Sequence, residues 1–368
     1  MVISTYQSAI CKLTKKIRRK EMKKTLALIL ALCMVFALCA CGSSSTATTA
    51  EEDDFYIELK FSNVFQPTEW NYKASEKFAE MVNEKSEGHI SVTYYGQNEL
   101  DCYADSVTQA ANGALWIGLE EPSLFADAVG VGDASVLVGP MLYSNDDEYN
   151  YVMDSDIVAG IKDQLAAENI HILDTHYSFG YRSVVTNIPD VTTPEDLKGV
   201  MMRSTTAALF SKTVECLGAT PVPMSFTECL SAISNGTVDG FEGSVSTLSG
   251  AGAPYELVKC VASTNHLIAT RWLFMAEDVY QSLPEKYQQL LTDCAVECGI
   301  WEQTMCQEDE ATQIEMLKEN GVVWNDVDLD AFTEAMMPVF DWIVEEYGAD
   351  PELHQQLVDL IADYRATK

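Results

Sequence analysis

Apolar and polar positions alternate along this chain with two periods. Phe55-Tyr56-Ile57-Glu58-Leu59 reads as a strand, and Trp70 to Glu84 carries Tyr72, Phe78, Ala79 and Val82 at helical spacing. Ile90 to Tyr94 alternates again as a strand, and Leu115 to Leu119 repeats that pattern after a helical stretch ending at Gly113. Strands alternating with helices predict an α/β protein with mainly parallel sheets. Thr193-Pro194-Glu195-Asp196 supplies a cap, a first-turn proline and first-turn acids. Ser282-Leu283-Pro284-Glu285 reads as a capping box, and the apolar pattern beyond it runs to a stop at Gly321. A helix of about 36 residues is ~54 Å long, enough to bridge two lobes or run beneath both.

The N-terminus differs from the rest. Leu26 to Ala40 is apolar and uncharged, preceded by Lys23 and Lys24 and followed by Gly42-Ser43-Ser44-Ser45. Fifteen residues fall short of the ~20 needed to span a bilayer. A basic flank, a short apolar run and small residues after it describe an export signal, with residues 1–21 upstream of a true start at Met22. Leu38-Cys39-Ala40-Cys41 resembles a bacterial lipobox. That resemblance implies cleavage after residue 40, lipid on the Cys41 sulfur, and anchoring to the outer face of the bacterial cell membrane. Residues 41–54 then form a small-residue, acidic tether.

The 368 residues, 47% apolar and 21% charged, fit a folded body of two lobes. Residues 1–40 hold eight Lys/Arg and one Glu, so the remainder carries 15 basic against 55 acidic residues, a formal charge of −40. A body this acidic repels phosphate backbones, which excludes nucleic acid as a partner. An anionic ligand must be held by a few placed cations, and only four arginines follow the signal: Arg182, Arg203, Arg271 and Arg365. Seven of the eleven cysteines follow Cys41, and their odd number and scatter through apolar patterns predict buried free thiols. Cys294 and Cys298 share a helix face, but two ligands alone make no metal site, and neither metal nor cofactor is expected.

Catalytic motifs are poor. Gly130-Val131-Gly132-Asp133-Ala134-Ser135 lacks the third glycine of a dinucleotide loop, and no nucleophile elbow or Walker loop occurs. His171 and His176, two of five histidines, are five apart and do not share a helix face. An exported hydrolase is the alternative these features disfavour.

Three ordered blocks carry a resemblance: Gly180-Tyr181-Arg182; Thr193 through Arg203; and Leu217-Gly218-Ala219-Thr220-Pro221-Val222-Pro223-Met224. Glu228 and Ala232-Ile233-Ser234-Asn235-Gly236-Thr237-Val238-Asp239-Gly240 continue them, with Lys77–Val82, Gly96–Leu100 and the helix after Ser282 outside them. Together they resemble the solute-binding proteins of tripartite ATP-independent periplasmic (TRAP) transporters, of the dicarboxylate-binding type, over nearly the whole chain beyond the signal. The resemblance implies a two-lobed periplasmic-binding-protein-like fold with a long helix spanning both lobes. Lobe I is expected at 55–179 plus 269–300, and lobe II at 180–268 plus 301–368. It also implies a non-enzymatic receptor that captures a small carboxylate between the lobes and hands it to a small and a large multi-span membrane subunit; a monomer is the simplest expectation for a receptor that must open and close. A receptor of an ATP-driven importer is the alternative of similar size and lobing.

By that resemblance a carboxylate rests against Arg203 with help from Arg182, and Trp272 forms a wall of the pocket, with Arg271 left as a surface or crossover charge. A guanidinium suits this task because its paired N–H donors match two carboxylate oxygens and its charge does not titrate away. Glu242 and Ser244 complete the candidate site. Here the chain departs from the family, which commonly places an asparagine where Gly243 stands in Phe241-Glu242-Gly243-Ser244. Either Ser244 or a bridging water replaces that asparagine, or the acid bound has a different shape.

Overall fold

A computed structural model describes residues 55–250 and 255–368. Tyr56–Lys368 forms a compact unit of its own. The signal peptide, Cys41 and the tether 41–54 lie outside the described residues. Among the described residues no helix is long and apolar enough to cross a membrane.

The strands predicted from alternation occur as β1 (Ile57–Ser62), β2 (Ile90–Tyr95) and β3 (Trp116–Glu120), all parallel, with the helix Trp70–Lys85 between the first two. A second parallel group is β5 (Met201–Ser204), β6 (Thr220–Pro223) and β7 (Gly240–Gly243). Two strands of 17 residues, β4 (Ile170–Thr186) and β8 (Cys260–Ala276), run antiparallel to each other and join the groups in the order β2-β1-β3-β8-β4-β7-β5-β6. β8 pairs with β4 along its whole length, while its carboxyl end also pairs with β3 and its amino end with β9 (Val323–Asn325). At ~3.3 Å per residue each long strand spans ~56 Å, so each crosses from one half-sheet to the other. This is the two-lobed mixed α/β fold with crossing strands. The β4–β8 ladder breaks register four times between Ile172 and Val184, which bends the crossover and re-aims its side chains.

The long helix is Glu285–Glu319, 35 residues or ~52 Å. It packs along β4, against Trp70–Lys85 near its start and against Val245–Gly250 further on, forming a spine for both halves. Gly299 permits the close approach, because a Cβ there would run into the Asp174 carboxylate and the Tyr177 ring. The helix stops at Gly321 (φ +85°), as predicted. Its start differs: Ser282 donates to the Val279 carbonyl at 2.6 Å, closing the preceding short helix Glu277–Ser282, and Pro284 takes the cap position. The Thr193 signal yields a capping box, but on a single 3-10 turn, Pro194–Leu197, cut short before Gly199 (φ +84°).

The largest core cluster lies under the half-sheet bearing β3, around Phe125, Tyr149, Trp272 and Phe274. The C-terminal helices Pro338–Tyr347 and Leu353–Ala366 also pack there, through Val339, Ile343, Leu357 and Ile361. Two smaller clusters cover the faces of the β5–β7 half, around Phe241 and around Met202. All seven cysteines of the body are free thiols, six of them buried.

Candidate ligand-binding cleft

Strand alternation decides which side chains reach the cleft. On β5, Met202 points into the Met202 cluster, so Arg203, one residue from the carboxyl end, faces the other way. In sheets of this kind ligands collect beyond the carboxyl ends of strands. On β8 the same rule separates Arg271 from Trp272. On β4, Arg182 lies between two register breaks. Three of the four arginines after the signal thereby line one cleft, whose walls also include Phe65, Glu69, Tyr103, Phe179 and Phe226. Its empty volume is about 400 Å³, including space open to solvent. The fourth, Arg365, makes a two-pronged pair with Glu148, 2.7 Å at both contacts, far along the fold.

The three cleft arginines are not equivalent. Arg182 is engaged by Glu242: Nε to Oε2 at 2.5 Å, Nη2 to Oε1 at 2.7 Å, and Nη2 to the Glu242 carbonyl at 3.0 Å. Both side chains are buried, so the pair neutralises itself inside the protein. His266 stands beside it, Nε2 3.9 Å from Glu242 Oε2. Burial and then the Arg182 charge push its pKa down to about 3, so it is a neutral neighbour.

Arg203, 3% exposed, donates from Nε to the Met224 carbonyl at 3.0 Å, and its guanidinium lies 5.4 Å from the Phe226 ring. It makes no ion pair among the described residues. Burial lowers its pKa, but a guanidinium stays charged. Arg271 donates from Nη1 to the Thr270 carbonyl at 2.7 Å and lies between Phe65 and Phe179, 5.6 and 5.2 Å from their rings. It too lacks an ion pair among the described residues, and burial followed by the Arg182 charge lowers its pKa. Burial raises three nearby carboxyls: Glu69 to about 7, Glu120 to about 8 and Glu121 to about 7. Each is hydrogen-bonded locally: Glu69 accepts from Gln66 N at 2.6 Å, Glu120 from Tyr103 N at 2.7 Å and Glu121 from Ser123 N at 2.9 Å.

The structure places four of the residues singled out in the sequence differently from expectation. Trp272 is no pocket wall: it is fully buried, donates its indole N–H to Tyr149 Oη at 3.1 Å and packs on Phe125. Its neighbour Arg271, read as a peripheral charge, holds the cleft position because adjacent residues of a strand face opposite sides. Ser244 is turned inward, bonding Thr247 Oγ1 at 3.0 Å and Thr247 N at 3.2 Å as it opens the helix Val245–Gly250, so it does not replace the missing asparagine. Glu242 holds Arg182 and does not line the cleft. Sequence reasoning missed Tyr103, whose backbone is in an unusual positive-φ conformation (φ 58°, ψ −139°) and whose hydroxyl accepts from Phe226 N at 3.2 Å. Strain of this kind gathers where a structure must aim a side chain, and nothing in the run Cys102-Tyr103-Ala104 announces it.

A sequence profile of the family described as bacterial extracellular solute-binding protein, family 7, matches residues 61–347. The chain belongs to that family. This solute-binding protein is 28% identical over 319 residues to a solute-binding protein of Chromohalobacter salexigens, covering 86% of this chain and 92% of that one. It resembles the crystal structure of a TRAP periplasmic solute-binding protein from Desulfovibrio salexigens in complex with diglycerolphosphate, at 32% identity and a TM-score of 0.81, covering 85% and 99%. It also resembles one from Actinobacillus succinogenes with bound L-galactonate, at 27% identity and a TM-score of 0.77, covering 83% and 100%.

Proposed function

We propose that this protein is an exported receptor that captures a small organic acid anion in the cleft between its lobes and delivers it to a TRAP-type secondary transporter. The observation that carries the reading is the buried guanidinium of Arg203, without an ion pair among the described residues, in a cleft where Arg182 is already neutralised by Glu242. Burying a cation without a partner is costly, and an arriving anion removes that cost. The bound ligands of the two structural neighbours, an acid sugar and a phosphodiester, are anions of this size. The acidic surroundings reject anions that do not reach the arginines, which gives selectivity.

Binding follows hinge closure. The anion seats on Arg203, and the lobes close because contacts from the Phe65–Glu69 side and the Phe226 side exist together only in the closed form. Arg182, with its fork occupied, acts as a positioning charge and not as the second ligand clamp. The lobes are taken as 55–179 plus 269–300 and 180–268 plus 301–368, with the qualification that the packing of 338–366 on the β3-side core favours moving that segment to lobe I. The protein acts as a monomer and is tethered through lipid on Cys41. Small-angle X-ray scattering tests the closure: a bound anion should reduce the radius of gyration, and an unchanged profile at saturation would remove hinge closure from the mechanism.

A further inference from the structure

Arg203 sits between two hydrogen bonds that tie one half of the molecule to the other. A short way along the chain from it, Ala208 opens the helix Ala208–Cys216 between β5 and β6. The first N–H groups of a helix have no partner within it, and Ala207, at the cap position, has no side-chain oxygen to offer. The acceptor comes from the β3 half instead. Asp127, on the helix Ser123–Val129 that follows β3, accepts from Ala208 N through Oδ2 at 3.1 Å. Its other oxygen, Oδ1, accepts from Tyr347 Oη at 2.6 Å, which holds the carboxylate in place.

The second bond has the same form. Arg203 Nε holds the Met224 carbonyl, and just beyond Met224 the residue Phe226 opens the helix Phe226–Ser234 between β6 and β7. Phe226 N donates at 3.2 Å to the hydroxyl of Tyr103, which stands between β2 and β3. Tyr103 is fixed in turn, because Glu120 at the end of β3 accepts from its backbone N–H at 2.7 Å. In both cases an oxygen on the β1–β3 half meets a backbone N–H at the amino end of a helix on the β5–β7 half, where the helix dipole favours it.

We propose that Asp127 and Tyr103 form a two-point latch that holds the lobes closed over Arg203, each acting as a positioning residue. Neither bond uses a ligand atom. One lies on the chain leaving Arg203 and the other on the segment Arg203 holds, so an anion that fixes Arg203 also fixes the helix ends the latch must catch. The two bonds therefore form and break together as the lobes move. This rests on the hinge closure described above and not on the class of anion.

The test is amide hydrogen exchange, read by mass spectrometry on residues 55–368, alone and with L-galactonate or diglycerolphosphate in large excess. Peptides holding Ala208 and Phe226 are compared with one from β8. Asp127→Ala should speed exchange at Phe226 as well as at Ala208, and Tyr103→Phe at Ala208 as well as at Phe226, each by about threefold or more, with β8 unchanged. Asp127→Asn keeps an acceptor for Ala208 N and a donor for Tyr347 Oη, so it should stay within about twofold of the parent. A variant that deprotects only the amide its own residue contacts would overturn the latch and leave the receptor reading standing. Acceleration that reaches β8 equally would assign both residues to general stability and overturn it too. So would parent amides at Ala208 and Phe226 that exchange as fast as free backbone under all three conditions.

Discussion

Replacing Arg203 by Gln separates a ligand anchor from a structural arginine, because the two roles predict opposite balances between affinity and stability. In the ligand-free protein the substitution removes one hydrogen bond to the Met224 carbonyl, worth about 0.5–1.5 kcal/mol, and the contact with Phe226, worth about 0.5–1 kcal/mol. Against these losses it removes a buried charge that no carboxylate among the described residues pairs and that the Arg182 charge repels. The two sides nearly cancel, so the ligand-free melting curve should stay within a few degrees of the parent. In the complex the bound anion faces a neutral amide, which costs about 2–5 kcal/mol, or roughly 30-fold to several thousand-fold in affinity. Calorimetric titration of parent and variant with the same anion reads the affinity, and differential scanning calorimetry without ligand reads the stability. A loss of affinity below about 0.5 kcal/mol, or a large fall in ligand-free stability, would refute the assignment of Arg203 as anchor.

Trp272→Phe should lower stability by about 1–3 kcal/mol in urea unfolding and leave ligand affinity unchanged, since the indole bonds Tyr149 and lies in the core. Stability should fall as pH rises from about 6.5 to about 8. The raised carboxyls of Glu69, Glu120, Glu121 and Glu302 are neutral in the folded protein and ionise above about 7–8, whereas in the unfolded chain they have ionised already, so the folded state holds more protons across this window. His266 acts in the opposite sense only below its unfolded value of about 6.5. Glu302→Gln should flatten that slope, because the amide can accept from Ser178 N and donate to Cys306 without ionising; an unchanged slope of melting temperature against pH counts against the assignment. Cys41→Ala should move the protein from the membrane fraction to the soluble fraction, read by immunoblot after fractionation, and retention in the membrane would argue against lipid anchoring.

Much of the fold could be read from the chain because local signals and tertiary structure agree there. The alternation of Ile90 to Tyr94 survives as β2, and Gly321 ends the long helix because a positive φ is required at that point. Arg203 lines a cavity for a similar reason, since the short parallel strand β5 ends there and fixes what its last side chains face. The rest depended on register. Arg271 and Trp272 are neighbours in sequence and occupy opposite faces, and the face each takes is set by pairing with β3 and β4 across more than 90 residues of sequence. The bulges between Ser178 and Val184 likewise decide that Arg182 meets Glu242, a contact between residues 60 apart. Ser282 shows the limit of a motif: its hydroxyl has two helices within reach and closes the first.

The measurement that bears most directly on the central claim is a thermal-shift screen of residues 55–368, unfolded and refolded, against small carboxylates, acid sugars and phosphate esters. An anion at ~100 times its dissociation constant should add ~2.7 kcal/mol to the stability of the folded form. The account predicts that one class of small organic anion raises the melting temperature while its neutral analogue does not. Stabilisation by a neutral or cationic ligand, with no response to any anion, would contradict it.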